Sequence, residues 1–146
     1  MGIQEYIQEN DVSQERLITQ VSQLSAADYA ADMGGGWTVG TALAHLAFWD
    51  SCRLALLRRW LLTGVSDAPS DSEVINAGVE VLANAISGPA AGELAIRAAR
   101  AIDAELHKVP VELATAIEAA GQVTVLRRSV HRNTHLDEIA KAFKTA

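Results

Sequence analysis

A chain of 146 residues with a formal net charge of −6 disfavours nucleic acid and anionic membrane as partners, because both reward a basic surface. Hydrophobic residues at 49% against charged residues at 21% describe a globular domain able to bury a core, and exclude a disordered chain. The one cysteine, Cys52, excludes an intramolecular disulfide; with no signal peptide and no membrane span expected, the chain reads as cytoplasmic.

Alanine and leucine dominate the apolar residues and only three prolines interrupt the chain, which favours an all-α protein. The first helix is expected from a cap at Asp11 or Ser13 to about Leu24, with Leu17, Val21 and Leu24 as its apolar stripe and a frayed segment before it. Ser25 to Asp28 resembles a second cap followed by a short turn. Gly34 to Gly36 reads as a flexible loop, and without the lysine and hydroxyl residue of a P-loop it is no phosphate cradle. Thr38 caps the longest helix, which runs to about Leu62, ends at Gly64 and buries Val39, Leu43, Leu46, Leu54, Leu57 and Leu61. Arg53, Arg58 and Arg59 fall in its C-terminal half, where cations complement the helix dipole.

Residues 65–70 form a linker. Asp71 to Ile86 is a shorter helix, with Ile75, Val79, Leu82 and Ile86 on one side. Pro89 opens a helix to about Lys108, seamed by Ala95, Ala99, Ile102 and Leu106. A further helical stretch spans Pro110 to Ala120. The last helix is expected from Val123 to Phe143, with Val123, Leu126, Val130, Ile139 and Phe143 as its apolar set. Only Gln122 to Val125 favours a strand locally. Long helices near 13–24, 38–62, 89–108 and 123–143 predict a four-helix bundle with one or two extra short helices, a single domain across residues 1–146.

Within the last helix, His131 and His135 stand four residues apart, a spacing that turns the side chain by only about 40° and advances it about 6 Å. The two imidazoles share a helical face and can reach one metal ion. Taken alone, such a pair serves equally as solvated or core-satisfied histidines. Val130 and Ile139 flank it with apolar surface, which turns the face inward, and inward imidazoles need partners. His45, surrounded by Leu43, Ala44, Leu46, Ala47 and Phe48, is taken alone a core histidine bonded to a carbonyl. In a bundle, an inward histidine on one helix and a pair on another can converge on a metal.

Gly36-Trp37-Thr38-Val39-Gly40, followed by Ala44-His45-Leu46, resembles the start of the second helix in the DinB-like superfamily, which includes mycothiol-dependent maleylpyruvate isomerase. His131-Arg132-Asn133-Thr134-His135-Leu136-Asp137 resembles the histidine pair on the last helix of that superfamily. The likeness covers essentially the whole chain, apart from residues 71–87, which look like an addition to the family core. It implies a histidine triad of His45, His131 and His135 holding nickel or zinc, and a homodimer. Three neutral imidazoles leave at least one coordination position open, the layout of catalytic rather than structural metal sites. An ion there activates a bound water or thiol, or polarises a substrate oxygen.

Other residues are weaker candidates. Trp49, one turn beyond His45, is a core residue that can also wall a pocket. Asn76 is a possible pocket hydrogen bonder, and Arg127, one turn before His131, a possible anion binder. Glu138, three residues past His135, can orient a ligand or act as a base. Asp50 is rotated away from His45, Cys52 lies too far along the helix, and His107 sits at a helix end, so none joins the site. The functional expectation is a divalent-metal enzyme acting on a small molecule: a transferase or isomerase using a low-molecular-weight thiol, as the resemblance implies, or a hydrolase. The alternatives are a non-catalytic metal- or ligand-binding bundle and a plain dimerisation module.

Overall fold

The alanine- and leucine-rich segments form helices in the computed structural model, which describes residues 1–144. In chain order these are α1 (Ile3–Ser22), α2 (Val39–Thr63), α3 (Ser72–Ala83), α4 (Gly88–Leu106), α5 (Val111–Ala119) and α6 (Ser129–Ala142). Single 3-10 turns occupy Asp28–Ala30 and Val123–Val125. The protein is all-α, with one small exception. Asp32–Gly34 (β1) and Trp37–Thr38 (β2) pair as an antiparallel hairpin in place of the flexible loop expected at the glycines. Gly34, Gly35 and Gly36 make the turn with φ of 86°, 61° and 83°, a region that side chains rarely adopt.

α2 is the central element, touching α3, α4 and α6, while α1 packs on α4 and α6. Thr38 caps α2 as expected, its hydroxyl accepting from the Thr41 amide, and Gly64 closes the helix. The two ends of the chain depart from expectation. α1 begins at Ile3, because Ile3, Tyr6, Ile7, Asn10, Ser13 and Leu17 form one continuous buried face. Asn10 and Ser13 interrupt the apolar pattern, so the sequence places the helix start too late. The last helix is shorter than Val123 to Phe143. The side chain of Asn10 donates to the Leu126 carbonyl and accepts from the Ser129 amide, both at 2.8 Å, and so restarts the helix at Ser129. Val130 and Phe143, assigned to the buried set, are 54% and 40% exposed, and Leu82 on α3 is 68% exposed.

Two apolar clusters fill the interior. Ile7, Leu57, Trp60, Ile102, Ile117 and Leu126 belong to one. Leu17, Leu43, Leu46, Ala95, Ala99 and Leu136 belong to the other. A buried polar layer accompanies them. Arg132 of α6, fully buried, donates to Asp50 of α2 at 3.0 Å and to both oxygens of Asp103 of α4 at 2.8 Å. Arg128, just before α6, donates to the other oxygen of Asp50 at 2.8 Å and to the Thr124 carbonyl at 2.7 Å. Burial by itself lowers the Arg132 pKa, but Asp50 and Asp103 outweigh it and hold the group above its ordinary value. Among the described residues no helix is long and apolar enough to cross a membrane.

Arg132→Ala strands two buried carboxylates that Arg128 and Gln14 satisfy only in part. It is expected to cost about 3–5 kcal/mol in urea unfolding. A loss under about 1 kcal/mol would show that the layer is not the clamp described.

Candidate metal centre

The three histidines meet. His45 projects from α2, and His131 and His135 project from one face of α6. One nitrogen from each lies within 4.8 Å of the others. His45 is buried at 5% exposure, and the other two are half-buried. His45 Nε2 and His131 Nε2 are 3.1 Å apart. Two nitrogens each about 2.1 Å from a common ion, subtending roughly 95°, stand at that separation, so the His45–His131 pair is spaced to share a divalent ion. The 4.8 Å span of the trio exceeds the roughly 4.2 Å that two such nitrogens can stand apart, so a ring must move inward to complete the set. Trp37, delivered by β2, covers the trio, its ring centroid 4.9 Å from that of His45 and 5.9 Å from that of His135.

The outer nitrogens of the pair on α6 are held in different ways. His135 Nδ1 bonds to Glu138 at 3.0 Å, the carboxylate–imidazole arrangement that orients a metal ligand. Glu138, three residues along α6, is thus hydrogen-bonded to the His135 ring. His131 Nδ1 faces Arg128 Nη2 at 3.2 Å. Arginine only donates, so Nδ1 accepts and the neutral His131 ring carries its proton on Nε2, aimed at His45. An ion bound between these rings must displace that proton.

Burial, then the neighbouring His135 and Arg128, pushes the His45 pKa down to about 4. Burial, then Arg128 and the other two histidines, pushes His131 down to about 2. Both rings are thus held neutral, but His131 has its one lone pair on Arg128 and ligates only after its Nε2 proton leaves or moves to Nδ1.

Beside the trio lies a cavity of about 260 Å³, bordered by His45 and His131 and walled by Trp49, Asn76, Arg53 and Arg128. Trp49 and Asn76 are where the sequence suggests a pocket, with Trp49 Nε1 donating to Asn76 Oδ1 at 2.7 Å. Arg127 is not. It lies in the break before α6 rather than one helical turn before His131, and it pairs with Glu9 at 2.6 and 3.0 Å. That pair borders a more open hollow of about 430 Å³ that holds none of the three histidines. Asp50 faces the two arginines, and the exposed His107 stands 3.5 Å from Asp11, so both lie outside the trio. Sequence reasoning gives no reading of Arg128 as a site residue, and it offers Arg53 as a helix-end charge or part of a disfavoured nucleic-acid patch. The three-residue step from Arg128 to His131 is the one local signal for the former. No family model, curated protein or solved structure matches the chain.

In metal-free protein, depressed histidine pKa values mean that the unfolded chain binds more protons below its ordinary histidine pKa of 6.5. The contribution to stability is complete above that pH and is lost on acidification towards about 4 for His45. The limiting slope is about 1.4 kcal/mol per pH unit for each proton. Urea midpoints between about pH 6.5 and 5 are expected to fall more steeply for wild type than for His45→Gln; equal slopes would contradict a neutral, desolvated His45.

Proposed function

We propose that this protein binds a divalent metal, nickel or zinc, through His45, His131 and His135, and is a metal-dependent enzyme of the DinB-like type acting on a small molecule. The observation that supports this most directly is three imidazole nitrogens within 4.8 Å of one another, two of them on rings that border a cavity. With three protein ligands, a bound ion keeps a position open for water, a thiolate or a substrate oxygen. Around it, Glu138 orients His135, Trp37 shields the rings from water, and the cavity beside Trp49 and Asn76 receives the substrate. Imidazole donors favour nickel or zinc over magnesium or calcium. The resemblance to DinB-like proteins favours transfer or isomerisation with a low-molecular-weight thiol over hydrolysis. It also favours a homodimer. The proposed setting is the cytoplasm.

A second reading rests on one specific contact. The His45–His131 bond at 3.1 Å satisfies two of the rings without an ion, and Arg128 on His131 stabilises the tautomer that bond needs. On that reading the histidines are structural, and the protein is a binding or dimerisation module.

Metal uptake separates the two. Protein stripped with a chelator and re-supplied at neutral pH is expected to take up one equivalent of nickel or zinc and to unfold at a higher temperature. His45→Ala and His135→Ala are expected to lose stoichiometric uptake, and Glu138→Gln to weaken it by about 10–100-fold. If stripped wild type binds neither metal, the trio is a hydrogen-bonded cluster and the enzymatic reading falls with it.

A further inference from the structure

Arg53, half-buried at the edge of the interior, is out of keeping with the buried Arg128 and Arg132. Arg128 and Arg132 have every side-chain nitrogen on a protein acceptor. Arg53 projects from α2 into the cavity wall, its guanidinium carbon 5.1 Å from the centroid of the Trp49 ring. Its Nε and Nη1 are buried and meet no acceptor among the described residues. Those two nitrogens carry up to three N–H donors. Buried charged donors of this kind are costly unless something accepts from them.

Among the described residues no acid does so. None of the residues around the cavity is acidic. Asp50, three residues away on the same helix, has its two oxygens taken by Arg128 and Arg132. Burial first, and then the charge of Arg128, lowers the Arg53 pKa, so the cation sits where its charge is poorly compensated. Ser72, Thr124 and Asn76 add hydroxyl and amide groups to the same walls, and Trp49 adds a flat apolar one. At about 260 Å³ the cavity is below the usual range for drug-sized ligands, which suits a compact molecule.

We propose that this cavity is a binding site for a small organic carboxylate, with Arg53 as its recognition residue and the Trp49 ring as the wall for its carbon skeleton. A carboxylate matches a planar guanidinium in shape and supplies the acceptors that the fold withholds. The site adjoins His45 and His131, so the inference adds a substrate charge to the metal reading. It does not depend on that reading, because Arg53 lacks its acceptor with or without an ion.

The test is calorimetric titration of the full chain, stripped and nickel-loaded, with malonate and with its neutral counterpart malonamide. Malonate is expected to bind saturably to the stripped protein and malonamide not to bind. Arg53→Gln is expected to weaken malonate about tenfold or more, and Arg53→Lys to fall between. Arg53 has no protein hydrogen bond through Nε or Nη1 to lose, so Arg53→Gln is expected to keep the wild-type circular dichroism spectrum. Asn76→Asp is the second variant. It keeps an acceptor for Trp49 but places a carboxylate in the cavity, and it is expected to weaken malonate similarly. The proposal is overturned by absent or non-saturable malonate binding, by equal binding of malonamide, or by unchanged affinity in both variants. Nickel uptake on the same preparations keeps the two readings apart. Protein that takes nickel but not malonate overturns the carboxylate site alone, and protein that takes malonate but not nickel supports it while removing the metal.

Discussion

The buried pairing of Asp50 and Asp103 with Arg128 and Arg132 is the constraint on which the rest of the structure depends. Two acids from α2 and α4 meet two bases from α6 and the segment before it, and their formal charges cancel. α1 joins through Ser13, whose hydroxyl accepts from Arg132, and through Asn10. Buried ion pairs add little net stability over a well-packed apolar core, because desolvation offsets much of the attraction. Their effect here is on register. Sliding α6 along α2 by one turn would strand a charge inside the protein, so the four elements are locked in one alignment.

The same alignment sets the histidine trio. Arg128 reaches from Asp50 to His131 Nδ1, which ties the orientation of one imidazole to the ionic layer. His135, by contrast, takes its orientation from Glu138, half exposed at the surface of the same helix. One ring is therefore governed from the core and one from solvent. Arg128 and Arg53 make the surroundings positive. A cation held by the trio and an anion held in the adjoining cavity would each reduce the electrostatic cost of the other.

Much of the helical plan is legible in the residues themselves. Thr38 and Gly64 bound α2, the helix expected from Asp71 to Ile86 is present as the shorter α3, and the proline at position 89 falls in the first turn of α4. The departures at the two ends of the chain occur where a polar residue does the work of the core. Asn10 and Ser13 look like surface positions, yet both are 1% exposed. Their burial extends α1 towards the N-terminus, and Asn10 also breaks the last helix at Leu126. Misplacing that break misplaced Arg127, which a continuous helix would carry one turn from His131. The hairpin escaped notice because three glycines have no β propensity of their own. Its effect is to swing Trp37 over the histidines.

Sequence alone determined the helical class, because periodicity, caps and breakers are local properties of the backbone and its nearest side chains. It also singled out His131 and His135 as neighbours, because an i, i+4 step on a helix is local geometry. Only the tertiary structure decided that His45 joins them, that Arg128 is spent on Asp50 and His131, and that Arg53 is left without an acceptor. These are pairings between residues distant in the chain, and a buried charge reveals its partner only when the helices that carry both are packed together.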